Sequence, residues 1–120
     1  MSMVLFVLHD PEKLQEVLAA WEDCGISGAT VLYSTGLGRI RDNEGLRDDI
    51  PLIPSVSDFF SHPEHHGRTI FTILDDDSII PGLIAATEQV VGDLSEPNRG
   101  ILAVLPVSQI KGLRKRYKNW

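Results

Sequence analysis

The sequence predicts one α+β domain, a two-layer sandwich with the element order βαββαβ. Two observations support this prediction. Four short segments rich in apolar and β-branched residues alternate with two segments of helical periodicity in that order. The 120 residues suffice for one domain spanning 1–120, and a composition of 42% hydrophobic and 23% charged residues is typical of a globular chain.

The first strand and the first helix are predicted within the first 25 residues. Residues 3–8 (MVLFVL) are continuously apolar, which is typical of a strand buried on both faces. Asp10 offers an N-cap side chain and Pro11 fits the first helical turn. Gly25 is placed to close this helix in the left-handed conformation. Between them, apolar residues recur at helical spacing at Leu14, Val17, Leu18 and Trp21.

Two further strands flank a long segment without regular periodicity. Residues 29–33 (ATVLY) and 70–74 (IFTIL) are rich in residues that favour strands. From Gly36 to Gly67, glycines and prolines interrupt every pattern. Loops of this length in compact domains are typically functional, so we predict a mobile functional loop over about 36–67.

The second helix and the fourth strand complete the order. Asp77 or Ser78 is placed to cap a helix over residues 80–91. Residues 101–107 (ILAVLPV) form the fourth strand, in which Pro106 indicates an edge or a strand end. The βαββαβ order predicts a ferredoxin-like sandwich with one sheet face free of helices. Because the strands are apolar on both faces, we expect the free face to pack against other copies of the chain.

The charge distribution excludes several classes of protein. The net charge of −6 combines −11 over residues 1–110 with +5 over the basic tail 111–120. An acidic body disfavours nucleic-acid binding. The apolar run at 3–8 is too short to span a membrane or to act as a signal peptide, and a single cysteine, Cys24, cannot form an intrachain disulfide. We therefore expect a cytoplasmic protein in which Cys24 is a small buried apolar residue.

Two glycine-containing motifs resemble those of the P-II nitrogen regulatory protein superfamily. Residues 25–31 (GISGATV) resemble its pattern G-[IV]-x-G-[MA]-T-V, and residues 35–39 (TGLGR) resemble its G-F-G-R. The resemblance implies a homotrimeric signalling protein and not an enzyme. It implies that a small anionic ligand, an adenine nucleotide such as ATP, ADP or AMP, binds between subunits, and that the loop relays this binding to a protein target.

The resemblance also implies which residues bind the ligand. Thr30 matches a threonine that lies near the adenine in the family. The segment 36–39 matches the base of the long loop beside the phosphates, and the turn 92–100 matches the phosphate loop. The tail 111–116 matches a segment with which a neighbouring subunit donates cations to the phosphates. Glycine lets backbone N–H groups approach phosphate, although Gly36 and Gly38 alone equally fit a turn out of a strand. The implied ligand-binding residues are Thr30, Gly36, Leu37, Gly38, Arg39, Gly92, Arg99, Gly100, Arg114 and Arg116.

Three departures from the family pattern modify these expectations. Asp93 and Glu96 stand where the phosphate loop of the family has lysines, so repulsion disfavours a triphosphate. Ile40 replaces the glutamine that helps to hold magnesium and 2-oxoglutarate, so we expect no response to 2-oxoglutarate. Residues 36–67 contain no tyrosine, which excludes nucleotidylation of a loop tyrosine. The sequence thus resembles a divergent P-II-like protein.

The residues also leave two alternative functions open. The HPEHH segment at 62–66 could bind zinc, copper or nickel, as in a P-II-like trimer of the metal-tolerance type, through the ligands His62, His65 and His66. Adjacent histidines on an extended segment point in opposite directions, which disfavours one shared metal ion. A small isomerase or oxygenase using His9 is the enzymatic alternative, and only the fold class supports it.

Overall fold

The structure is a computed structural model that describes residues 1–35 and 67–113. Within these residues, four strands form one antiparallel sheet accompanied by two α-helices, which confirms the predicted mixed class. Neither helix is long and apolar enough to cross a membrane. The elements are β1 (Ser2–Leu8), α1 (Leu14–Asp23), β2 (Thr30–Ser34), β3 (Gly67–Leu74), α2 (Ile80–Val91) and β4 (Ile101–Pro106).

The strands lie in the order β2-β3-β1-β4, with every neighbouring pair antiparallel. Leu5 of β1 lies opposite Phe71 of β3 and Ala103 of β4, and Phe71 lies opposite Thr30 of β2. Directly paired residues of antiparallel strands present their side chains on the same face, so these four residues form a row across the sheet. β4 is an edge strand and ends at Pro106, as predicted.

The hydrophobic core lies between one face of the sheet and the two helices. Alternate residues of β1 are buried there, and Val4 and Phe6 are fully excluded from solvent. This alternation places every second β1 side chain against the helices, as the period of two along a strand requires. The helices contribute the buried residues Val17, Trp21, Leu83, Thr87 and Val91.

The opposite face of the sheet carries mostly apolar side chains. Among the described residues no helix covers it, and the segment 110–113 lines a concavity together with Thr30, Phe71 and Ile73 of this face. We name this face the open sheet face. Its edges are the most exposed: 51% of Leu32 and 67% of Ile101 are accessible to solvent. The open sheet face comprises Met3, Leu5, Val7, Thr30, Leu32, Thr69, Phe71, Ile73, Ile101, Ala103 and Leu105.

Each helix begins with a short 3₁₀ turn, which shifts one predicted cap. Asp10 acts as a cap as predicted, because its Oδ1 accepts the Glu12 N–H at 3.0 Å, but it caps the 3₁₀ turn and not the α-helix. At the second helix, the prediction of Asp77 or Ser78 was wrong. The cap is Asp76, whose Oδ1 accepts the Ser78 N–H at 3.0 Å. A 3₁₀ turn over residues 77–79 precedes the α-helix, so the first unpaired N–H lies one position earlier than the sequence predicted. Hydrogen bonds from Ser78 lower the pKa of Asp76.

Three other residues refine the sequence interpretation. Gly25 follows α1 with φ +101°, which confirms a left-handed helix end. Cys24 is half-buried and not buried, and its Sγ lies 3.8 Å from the carbonyl oxygen of Gly82. Gly67 is the first residue of β3 and not the last residue of the loop. A Cβ at Gly67 would lie 2.6 Å from the carbonyl oxygen of Leu8, so only glycine fits this close pairing of strands.

A buried hydrogen-bond chain joins the two helices. The indole Nε1–H of Trp21 donates to Thr87 Oγ1 at 2.9 Å, and this hydroxyl donates to the carbonyl oxygen of Leu83 at 2.7 Å. Both Trp21 and Thr87 are buried. The hydroxyl therefore satisfies an indole N–H that has no access to water.

Replacing Thr87 by valine is expected to lower the free energy of unfolding by about 1–3 kcal/mol, because it leaves the buried indole N–H without an acceptor. Urea unfolding followed by tryptophan fluorescence measures this loss. Thr87→Ser is the control, since it keeps the hydroxyl and removes only a methyl group. A valine variant no less stable than the serine variant would contradict a role for this hydrogen bond.

Candidate functional site

One end of the sheet gathers three segments, and we name it the loop end. Ser34, the last residue of β2, pairs with Gly67, the first residue of β3, so β2 ends and β3 begins here. Ile101 lies opposite Val7, which brings the turn 92–100 to the same end. The start of α1 follows β1 at this point too.

The turn between α2 and β4 is organised around Arg99. Gly92 ends α2 with φ +94°, and the Arg99 guanidinium packs over it. Arg99 Nη1 donates to the carbonyl oxygen of Val91 at 3.3 Å, and Nη2 lies 3.3 Å from Glu96 Oε2. A Cβ at position 92 would lie 3.1 Å from Arg99 Nη1. The left-handed backbone at Gly92 favours glycine, whereas a Cβ there would ask only for a small movement of the Arg99 guanidinium.

The backbone N–H groups of this turn are largely used within it. Leu94 N–H donates to Glu88 Oε2 at 3.0 Å, Ser95 N–H donates to Asp93 Oδ1 at 2.9 Å, and Glu96 N–H donates to the Asp93 carbonyl oxygen at 3.1 Å. The Ser95 hydroxyl also donates to Asp93 Oδ1 at 2.7 Å. The two hydrogen bonds that the Ser95 N–H and hydroxyl donate to the Asp93 carboxylate lower its pKa. The turn thus offers fewer free N–H groups to phosphate than a glycine-rich loop offers.

Gly100 allows β4 to begin against β1. Its φ is +116°, and a Cβ there would lie 2.4 Å from the carbonyl oxygen of Val7 and 3.0 Å from Phe6 Cε1. No other residue fits this approach without moving a strand. Gly100 therefore has a packing role that does not depend on any ligand.

Thr30 lies on a different surface from the turn. It begins β2 on the open sheet face, opposite Phe71, and it is exposed. With Gly28 and Ala29 it lines a broad, open concavity that the C-terminal segment 110–113 also lines. Thr30 pairs with Phe71, which is four residues beyond Gly67 along β3, so at about 3.3 Å per residue Thr30 lies about 13 Å along the sheet from the loop end.

The structure thus brings part of the predicted site together. Gly92, Arg99 and Gly100 belong to one turn, and Thr30 belongs to a separate surface of the same chain. The remaining predicted residues lie outside the described part of the chain. These are Gly36, Leu37, Gly38, Arg39, Arg114 and Arg116, together with the alternative metal ligands His62, His65 and His66.

A small pocket that the sequence did not predict lies beside Arg99. Its volume is about 150 Å³, and it opens between the end of β1, the first turn of the first helical segment and the turn 92–100. Sequence reasoning missed Lys13 and Asn98 because only the tertiary fold brings these two segments together. The one available signal was Asn98 itself, since asparagine favours the left-handed backbone that it adopts here at φ +66°. The pocket is lined by Leu8, His9, Asp10, Lys13, Val91, Asn98 and Arg99.

Within residues 1–35 and 67–113, no group of three or more His, Cys, Asp or Glu side chains is placed to hold a metal ion. Comparison with known proteins finds no matching family model and no matching curated protein.

Proposed function

We propose that this chain is a divergent P-II-like signalling protein, a ferredoxin-like homotrimer that binds an adenine nucleotide between subunits and is not an enzyme. The observation that carries the proposal is the position of Thr30. The threonine of the GISGATV motif lies on the open sheet face, in the same row as Phe71 and Leu5. A cleft between subunits requires a ligand-binding residue on the face that other copies would cover, and Thr30 lies on that face.

The arrangement of the sheet supports the ferredoxin-like part of the proposal. The order is β2-β3-β1-β4, all neighbouring strands are antiparallel, and the buried side chains of both helices lie on one side. The open sheet face supports the assembly, because no helix among the described residues covers it and an apolar face of this kind is typical of an interface between copies.

The separation of Thr30 from Arg99 also supports a site shared between copies. Within one chain, Thr30 faces the open concavity while Arg99 lies over Gly92 at the loop end. In the proposed trimer, Thr30 of one copy would face the turn 92–100 of the next. A complete site then needs two chains, and one chain supplies only half of it.

The chemistry of the turn favours nucleotides with few phosphates. The charged Asp93 carboxylate and Glu96 lie in the turn that would face the phosphates, and Glu96 already pairs with Arg99. Repulsion between these carboxylates and a ligand grows with each added phosphate charge. We therefore propose AMP or ADP as the ligand in preference to ATP, with the 36–66 segment relaying its binding to a protein partner.

Addition of AMP or ADP is expected to raise the melting temperature of the protein. A ligand that binds only the native state stabilises it by about 2.7 kcal/mol at about a hundredfold excess over its dissociation constant. A thermal-shift panel of ATP, ADP, AMP, cyclic mono- and dinucleotides and 2-oxoglutarate measures this. We expect a smaller shift with ATP than with AMP or ADP, and none with 2-oxoglutarate.

Variants connect this shift to the proposed site. Thr30→Val keeps a β-branched residue in β2 and removes only the hydroxyl, and Arg39→Ala removes the motif cation; both are expected to abolish the shift. Arg41→Ala makes the same change two residues beyond the motif and should keep it. The absence of a shift with every nucleotide, or an unchanged shift in both site variants, would contradict the nucleotide proposal.

A further inference from the structure

The broad concavity that contains Thr30 also has acidic side chains in its lining. Its volume is about 1340 Å³, which exceeds the roughly 300–1,000 Å³ of small-molecule pockets and suits a segment of chain better than a compact ligand. The end of α1 contributes Glu22, and the connection from β3 to α2 contributes Asp75 and Asp76. All three side chains are exposed, and Lys111 is the only basic residue among the described residues that line the concavity. The lining is therefore negatively charged.

Two of these carboxylates have no charged partner among the described residues. Asp76 already caps the 3₁₀ turn before α2, and the neighbouring Asp77 lies 3.5 Å from the N-terminal amine of Met1. No salt bridge between described residues involves Glu22 or Asp75. Glu22 and Asp75 are therefore available to a cation that reaches the concavity.

The concavity also offers apolar surface. The buried residues Trp21 and Ile26 and the half-buried residues Leu18 and Ile79 belong to its lining. Long basic side chains suit such a lining, because their methylene stems pack on apolar surface while their charged heads meet carboxylates. The lining thus matches a peptide segment that is both basic and partly apolar.

The chain itself leads into this concavity. After β4, the Val107 N–H donates to the carbonyl oxygen of Met1 at 3.1 Å, and Ile110 and Leu113 then line the concavity. Residues 114–120 (RKRYKNW) lie outside the described part of the chain and contain four Lys or Arg side chains, two aromatic residues and no Asp or Glu. Seven extended residues span at most about 25 Å, and they follow a residue that already lines the concavity.

We propose that this concavity is a docking site for the basic tail of the same chain, residues 114–120, with Glu22 and Asp75 as partners of its lysine and arginine side chains. Opposite charge favours this contact, because an acidic lining attracts the strongly basic end of an acidic chain. The docked tail also covers apolar lining of the concavity. This placement differs from the one that the P-II resemblance implies, in which the tail of one subunit meets the phosphates of the next. The contact needs no ligand, so it does not depend on the proposed function.

A nitroxide spin label near the end of the tail locates the tail in the full-length protein. Cys24 is the only cysteine, so Cys24→Ser combined with Asn119→Cys places one label without changing the charge of the tail. In the absence of nucleotide, we expect the label to broaden the backbone amide NMR signals of residues 25–28 and 75–79 strongly and that of Ile101 at the loop end weakly. Raising sodium chloride from about 0.05 M to about 0.5 M should reduce the broadening, because salt screens ion pairs.

Removal of two carboxylates from the lining tests the docking itself. Glu22→Gln with Asp75→Asn should lower the ratio of docked to free tail about threefold to tenfold, since each exposed ion pair contributes up to about fivefold. Glu12→Gln with Glu16→Gln is the matched control, because it removes the same charge from residues that do not line the concavity. The control should keep the broadening seen without these substitutions. Equal broadening in the two double variants, or equal broadening at both ends of the sheet, would overturn the proposal.

A mixed sample distinguishes docking within one chain from docking between copies. It combines spin-labelled chains that carry no isotope with isotope-enriched chains that carry no spin label. Docking within one chain predicts little broadening in this sample. Broadening as strong as in chains that carry both labels would assign the tail to a neighbouring copy and overturn docking within the chain. Every measurement is made without nucleotide, so failure of this docking and failure of the nucleotide cleft are separate results.

Discussion

Replacing Gly100 by alanine is expected to destabilise the native protein by about 2–6 kcal/mol. The left-handed backbone at φ +116° contributes about 1–3 kcal/mol of strain for a residue with a Cβ. The Cβ would lie 2.4 Å from the carbonyl oxygen of Val7, and relieving that overlap costs roughly another 1–3 kcal/mol. Since domains of this size are stable by about 5–15 kcal/mol, the loss is a large share of the total.

Urea unfolding in the absence of any ligand measures this effect, and two other glycines serve as controls. Gly28→Ala meets no atom within 4 Å and requires no left-handed backbone, so its cost should be small. Gly112 has φ +97° with nothing within 4 Å, so Gly112→Ala reports the backbone strain without the overlap. If Gly100→Ala unfolds no more easily than Gly112→Ala, the close approach of β4 to β1 is not as the structure describes.

The fold class could be predicted because its elements have long, regular patterns. The stripe containing Val17 and Trp21 indicates the buried side of α1, and both residues are buried against the sheet. The ends of elements were harder, because short-range chemistry decides them. A 3₁₀ turn before α2 makes Asp76 the cap, although Asp77 and Ser78 have equally suitable side chains.

The candidate site was less predictable than the fold, for a physical reason. Glycine is used both for close approach to a ligand and for close packing of the backbone, and the sequence does not distinguish these uses. Gly92 and Gly100 were predicted as ligand residues, and both adopt a left-handed backbone in the structure, while Gly100 also packs closely against Val7. Nothing in the sequence indicated that Lys13 and Asn98 line the same pocket, because only the order of strands in the sheet brings their two segments to one end.

A charged substitution on the open sheet face is expected to have a large effect on the assembly of the protein. Phe71 lies at the middle of this face, between Leu5 and Thr30, with Ala103 on the far side of Leu5. Phe71→Arg would bury an uncompensated charge if copies pack there. Such a charge costs about 3–5 kcal/mol, which weakens each interface by roughly two to four orders of magnitude. We expect the wild type to be a trimer at micromolar concentration and Phe71→Arg to be a folded monomer.

Sedimentation velocity measures the mass of each variant, and circular dichroism confirms that each is folded. Phe71→Leu keeps the face apolar and should remain trimeric, as should Gln15→Arg, which adds the same charge at an exposed position of α1. A monomeric wild type, or a trimeric Phe71→Arg at the same concentration, would contradict assembly through this face. The nucleotide shift should disappear with the trimer, because Thr30 and Arg99 of one chain lie on separate surfaces. A monomer that still responds to nucleotide would therefore locate the ligand within a single chain.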